Sequence, residues 1–190
     1  MNTTKFNVYP FQYFPKYYSK KNFLQEIKNH CEFSQDYVLV GKDKVERLEK
    51  RKTCWLSNND ELTFEYSSKV MKPNKIPSIF NDLITNIYNN FGIKFDGILV
   101  NYYENGQVGM GYHSDPTDNK WDDNFIIYSL GENRKFIFRE KENIVNKIEY
   151  NFNDGDLIYM YDDCQEKYEH SVRKNRDTNE RISLVFKKLK

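Results

Sequence analysis

Cysteine, histidine and proline are scarce in this chain, and each scarcity excludes something. The 190 residues hold only 3 Cys, 3 His and 5 Pro. Cys31, Cys54 and Cys164 show no paired spacing, so neither a disulfide scaffold nor a thiol-rich zinc module is expected. No apolar run approaches the ~20 residues that cross a membrane, and no apolar signal-peptide core opens the chain. Net charge is almost absent, at +1, so the whole chain is not a polycation. Together these absences read as an intracellular protein with reduced thiols, with nucleus and cytoplasm undistinguished, no membrane partner and a monomeric state.

What is abundant is aromatic: 15 Tyr and 14 Phe, residues that favour pleated, half-buried surfaces. Charge is unevenly spread. Residues 1–95 carry 15 Lys+Arg against 10 Asp+Glu, net +5, and residues 96–190 carry 14 against 18, net −4. The basic half could follow a phosphate backbone or be a solvated lysine-rich face. Residues 1–18 read as extended, and Ser19 as the cap of a helix carrying Phe23, Leu24 and Ile27. "CWLSNNDELTFEYSS" reads as a hairpin, Cys54–Leu56 turning back through Leu62–Tyr66. "PSIFNDLITNIYNNFG" is the clearest helix: Ile79, Leu83, Ile87 and Phe91 recur every four residues, with Gly92 at the end. Six short strands follow, near Gly97–Tyr102, Asn124–Leu130, Lys135–Arg139, Ile148–Phe152, Asp156–Tyr161 and Arg181–Phe186. That pattern predicts an α+β, mainly β fold with a jelly-roll core over 97–190, preceded by an extension over 1–96, the two forming one compact domain.

The chemistry centres on "NYYENGQVGMGYHSDPTDNKW". In an extended segment His113 and Asp115 share a face. His170, in "CQEKYEHSVRK", is the natural third ligand, whereas His30 reads as a helix-end surface residue. Two imidazoles and a carboxylate form the facial set that holds Fe(II) and leaves three positions open. Arg181, eleven residues on, offers a fixed cationic fork for a carboxylate. Glu169, beside His170, leaves a zinc hydrolase as a remote alternative.

These segments resemble the AlkB-type Fe(II)/2-oxoglutarate dioxygenases. "NYYENGQVGMGYHSD" matches the pattern N-x-Y-x-x-G…H-x-D. "YSLGENRKFIFR", "GDLIYMYDDCQEKYEHSV" and "RISLVFK" are similar to three further family motifs, in the same order. The resemblance covers roughly residues 50–190. It implies a double-stranded β-helix core with a nucleotide-recognition lid. It also implies iron on His113, Asp115 and His170, 2-oxoglutarate on Arg181, Asn101 and Tyr103, and O2 as oxidant. Ser183 stands where the family often has Asn, and Lys187 where it has a second arginine. The final strand implies Leu184 or Val185 at the pocket.

The implied activity is oxidative demethylation of N-alkylated bases in DNA or RNA, releasing formaldehyde, succinate and CO2. The base would be single-stranded or flipped out. Substrate contacts are expected from Trp55, Tyr66, Thr117 and Asp118. Trp55 and Tyr66 could stack on a base or pack the lid onto the barrel. Thr117, with Asp118 beside it, replaces an acidic residue that several demethylases use to meet the base. Alternatives are a same-fold dioxygenase acting on protein or another substrate, and a non-catalytic nucleic-acid-binding relative.

Overall fold

The computed structural model describes residues 9–41, 43–115 and 120–190. The strands, in chain order, are β1 Phe11–Phe14, β2 Tyr37–Val40, β3 Val45–Leu48, β4 Lys52–Leu56, β5 Phe64–Tyr66, β6 Lys69–Met71 and β7 Gly97–Tyr103. They continue with β8 Met110–His113, β9 Phe125–Gly131, β10 Arg134–Glu140, β11 Lys147–Phe152, β12 Leu157–Met160, β13 Tyr168–Val172 and β14 Arg181–Lys187. Helices α1 Phe23–His30 and α2 Asn81–Phe91 lie in the first half, and the single turn α3 Cys164–Lys167 precedes β13.

Two antiparallel sheets face each other. The larger is ordered β1-β12-β9-β14-β7-β4, and the smaller β11-β10-β13-β8. β1 and β4, from residues before Gly97, thus extend the larger sheet at both edges. Period-two alternation sorts every strand of this sandwich. On β14, Val185 joins the core between the sheets with Phe136, Phe138 and Ile127. Ile182, Leu184 and Phe186 point the other way, into a second core with Phe23, Ile27, Leu83 and Ile87 of α1 and α2. Each of those three β14 side chains is at most 1 % exposed, and burial of each stabilises by about 1.5–3 kcal/mol. The helices therefore cover the outer face of the larger sheet and leave the space between the sheets for the site.

All six strands read from residues 97–190 are present, and α2 spans the segment marked by the Leu83/Ile87 periodicity. A 3-10 turn, Ser78–Phe80, leads into it, and Gly92 ends it in the left-handed region at φ 67°, which suits glycine. Two expectations are corrected. Ser19 does not cap α1; Asn22, itself left-handed at φ 60°, precedes the helix without a side-chain cap bond. The two halves of "CWLSNNDELTFEYSS" do not pair with each other. β4 pairs with β7, while β5 turns back on β6. The run "KVERLEKRKT" is solvated over Val45–Leu48, all four residues being exposed, and this segment is β3, which pairs with β2 as a two-stranded ribbon. The lid is thus two ribbons, β2–β3 and β5–β6, joined where the Leu39 amide donates to the Ser67 carbonyl at 3.0 Å.

Candidate active site

β8 and β13 pair so that His113 and His170 stand directly opposite each other, with a register shift just beyond His170. Their rings lie 4.4 Å apart between centroids. Asp115, two residues past His113, brings Oδ1 to 3.6 Å from His113 Nε2 and 4.0 Å from His170 Nε2. One donor atom from each of the three residues lies within 4.8 Å of the others.

The His113 ring donates Nδ1–H to the Gly111 carbonyl at 2.9 Å, which leaves Nε2 as the free lone pair. His170 stacks on Phe136 with centroids 5.4 Å apart. The Asp115 amide donates to Gln165 Oε1 at 2.8 Å, and the Gln165 amide donates to Met160 Sδ at 3.2 Å. Lys187, 1 % exposed, donates to Asp115 Oδ2 at 2.9 Å and sits over the Phe125 ring, 3.2 Å from its centroid.

The electrostatics favour metal-binding protonation states. Burial acts to raise the Asp115 carboxyl, but Lys187 and the two imidazoles outweigh it and hold the group below the usual carboxylate range. Burial, then the neighbouring His113, pushes His170 down to about 3 against the pull of Asp115, so the imidazole is neutral. A carboxylate and two neutral imidazoles are the donor set expected for Fe(II).

Arg181 supplies a second test of fit. It is fully buried at the start of β14, where its Nε–H donates to Ser129 Oγ at 3.0 Å and its guanidinium lies beside Tyr103. Among the described residues Nη1 and Nη2 are buried without a hydrogen-bond acceptor, near the rings of Tyr103 and Phe152, each 5.4 Å from the guanidinium carbon. Burial and the nearby Arg134 push its pKa down to about 10 against the pull of Tyr103. Such a cation, with two donors facing no acceptor, fits a carboxylate-bearing co-substrate.

A cavity of about 780 Å³ opens at the three ligands, walled by Leu99, Asn101, Tyr103, Ile127, Ser183 and Val185 of the larger sheet. Glu49, Arg51, Phe64 and Tyr66 bound it from the lid side. Arg181 is two residues from the lining residue Ser183 on the same face of β14 but is not itself among the residues that line the cavity. Of the pair expected at the pocket, Val185 is on the wall; Leu184 faces the helices. Trp55 does not offer the expected stacking surface. It is fully buried, its Nε1–H donates to the Leu62 carbonyl at 2.6 Å, and its ring is stacked on Phe64. β4 is a strand of the larger sheet, so its inward ring packs the barrel instead of facing a substrate. Thr117 and Asp118 lie outside the described residues. His30 is exposed on α1, bonded through Nδ1 to the Glu26 carbonyl, and Glu169 pairs with Arg139 at 2.7 Å.

The sequence carries no signal for the lid's buried charges. Lys69 is 8 % exposed and its ammonium donates to Glu49, Thr53 and Ser34. Nor did it mark Arg51, whose Nε–H donates to Asn101 Oδ1 at 2.7 Å. Both residues lay in charged stretches indistinguishable from a solvated surface.

Residues 8–187 match the family model of the 2OG-Fe(II) oxygenase superfamily. The chain belongs to this superfamily. It is an AlkB-type, 2-oxoglutarate-dependent dioxygenase that uses Fe(II), 2-oxoglutarate and O2. It is 29% identical over 167 residues to the protein R406 of Acanthamoeba polyphaga mimivirus, covering 86% of each chain. It is 29% identical over 149 residues to the alpha-ketoglutarate-dependent dioxygenase alkB homolog 3 of Rattus norvegicus, and 27% over 157 residues to that of Homo sapiens. Those matches cover 72% and 77% of this chain, but only 49% and 54% of the relatives, so the chain spans about half their length. The solved structure of OsALKBH1 superposes with a TM-score of 0.68 over 97% of this chain and 99% of its own, at 14% identity, which shows the shared jelly-roll fold. No helix among the described residues is long and apolar enough to cross a membrane.

Proposed function

We propose that this oxygenase removes N-alkyl groups from bases of DNA or RNA presented as single strands or flipped out of a duplex. One observation carries the reading. The His113–Asp115–His170 cluster lies on the wall of a cavity bordered by residues of both ribbons, Phe64 and Tyr66 among them, a shape that suits a single extruded base.

In this reading His113, Asp115 and His170 hold the iron, and Arg181 takes the distal carboxylate of 2-oxoglutarate. Asn101, Tyr103 and Ser183 contact the same co-substrate from adjoining strands. Iron, 2-oxoglutarate and O2 together supply the two-electron oxidation that hydroxylates an N-methyl carbon, with succinate and CO2 as co-products. The hydroxylated group then leaves as formaldehyde. Lys187 keeps Asp115 ionised and oriented. Leu99, Ile127 and Val185 line an apolar wall that keeps bulk water from the oxidant.

The rim supports a polyanionic partner. Arg47, Lys50 and Arg51 border the cavity on the lid side. On the other side Tyr112 lies under the Arg139 guanidinium, 3.8 Å from its ring centroid, with Arg173 at 5.9 Å. A flat ring between cations suits bases and phosphates. The relatives named alkB homolog 3 point the same way. Tyr66 borders the cavity from the lid side and, in this reading, meets the base.

The test is turnover of methylated single-stranded DNA and RNA oligonucleotides, read by mass spectrometry with formaldehyde and succinate. Stoichiometric loss of methyl mass, abolished by His113→Ala, is expected. Succinate formed with methylated peptides but with no oligonucleotide would defeat the reading.

A further inference from the structure

Two charged side chains under the lid are buried far from any surface role. Lys69, on β6, donates to Glu49 Oε2 at 2.8 Å and Thr53 Oγ1 at 2.7 Å, and pairs with Asp36 Oδ2 at 2.6 Å. Glu49, 6 % exposed, follows β3 and accepts from the Tyr66 hydroxyl through its other oxygen. The Asp36 amide also donates to Glu49, at 3.4 Å. One ammonium thus ties together the entry to β2, the end of β3, β4 and the β5–β6 ribbon.

The chain of contacts continues into the active site. The Tyr66 ring lies 5.5 Å from the Arg51 guanidinium carbon. Arg51 donates from Nε to Asn101 Oδ1 at 2.7 Å and from Nη1 to Met110 Sδ at 3.6 Å. Glu49, Arg51, Tyr66, Asn101 and Met110 all border the same cavity. Asn101 stands opposite Ser183 on β14 and shares a face with Tyr103.

A buried ion pair adds little stability over an apolar pair of the same shape, whereas breaking one partner is costly. Its physical effect here is geometric: the ammonium accepts only one arrangement of carboxylates and hydroxyls, and so fixes the two ribbons against β4. We propose that the Lys69–Glu49–Tyr66 cluster is a positioning device that sets the lid over the cavity and, through Arg51, holds Asn101 for 2-oxoglutarate. Lid order and co-substrate affinity are then coupled. This rests on the assignment of Asn101 to the co-substrate and is independent of whether the substrate is a nucleic acid.

The test uses the full chain. Amide hydrogen exchange on metal-free protein is compared for wild type, Lys69→Met, Tyr66→Phe, Lys69→Arg and the surface control Lys135→Met, which breaks only the exposed pair with Glu149. Titration calorimetry then gives the 2-oxoglutarate dissociation constant of the Mn(II)-loaded proteins. Lys69→Met is expected to speed exchange in β2–β3 and β5–β6 by about tenfold or more, with β9 and β14 unchanged. The same variant should weaken 2-oxoglutarate about five- to twentyfold and add nothing to Asn101→Ala, because contacting groups are non-additive. Tyr66→Phe should give a smaller change in the same direction, and Lys69→Arg should recover most of the loss. Should Lys69→Met fail to fold, Tyr66→Phe carries the comparison alone. Unchanged exchange in the ribbons, or additive effects with Asn101→Ala, overturns the proposal. Asn101→Ala that leaves 2-oxoglutarate binding intact overturns the link together with the Asn101 assignment, while oligonucleotide turnover tests the substrate separately.

Discussion

Replacing Arg181 by methionine separates stability from function. A buried group left without its partner costs about 1–3 kcal/mol, and Arg181 carries two such nitrogens, Nη1 and Nη2. Methionine removes that penalty. It also removes the bond to Ser129, worth about 1.5–3 kcal/mol for a charged donor, and the contacts with Tyr103 and Phe152, about 0.5–2 kcal/mol. These opposing contributions nearly cancel. The ligand-free variant should lie within about 2 kcal/mol of wild type, whereas truncating a large buried side chain usually costs about 2–5 kcal/mol. Co-substrate changes the comparison. At one hundred times its dissociation constant a ligand stabilises by about 2.7 kcal/mol, which is about 5–11 °C in Tm for a chain of this size. Wild type should show that shift with 2-oxoglutarate and Mn(II); Arg181→Met should show almost none. Urea denaturation and thermal scans with and without 2-oxoglutarate measure both quantities. A variant that loses more than about 4 kcal/mol without ligand, or that keeps the full ligand shift, refutes the reasoning.

Four further outcomes follow from the structure. Lys187→Met takes the cation from Asp115 Oδ2 and should weaken metal binding about ten- to hundredfold, read by titration with Mn(II); unchanged affinity counts against its role. Trp55→Phe should lower stability by about 1–3 kcal/mol in urea melts and leave substrate KM unchanged, because the indole is buried and bonded to Leu62. Gly97→Ala should cost a similar amount, about 1–3 kcal/mol, since its Cβ would lie 2.2 Å from the Trp55 ring. The pH dependence has a defined sign. Hydrogen bonding to Lys69 holds the Asp36 carboxyl below its ordinary value, so its contribution is present above the unfolded pKa of about 4 and is lost as pH falls through the folded one. Below about pH 4 stability should therefore fall less steeply in Lys69→Met than in wild type, as acid titrations followed by circular dichroism would show.

The cluster of metal-ligand candidates and six of the strands after residue 96 were legible because their signals are local, whereas β8 and β13, which carry the two histidines, were not read as strands. His113 ends β8 and Asp115 follows two residues later, and Gly97–Tyr103 or Arg181–Lys187 are apolar runs of strand length. What could not be read depended on pairing between distant segments. β3 is Val45–Leu48, with all four residues exposed; nothing in such a run marks a strand until β2 lies beside it. β4 resembled half of a hairpin because "SNND" follows it, yet Trp55 and Cys54 gain more by packing on β7 and the two cores than by turning back on Leu62–Tyr66. Lys69 and Glu49 looked like surface charges because burial of a charge is visible only when its partners arrive from other strands. The resemblance to a known family placed Arg181 at the co-substrate, and the unpartnered Nη atoms now give that placement a physical ground.

Anaerobic titration of the protein with Fe(II) in the presence of 2-oxoglutarate tests the central claim most directly. Convergence of His113, Asp115 and His170 predicts one equivalent of tightly held iron in wild type and no saturable binding in Asp115→Ala or His170→Ala, both remaining folded by circular dichroism. One equivalent retained with unchanged affinity in either variant would contradict the account.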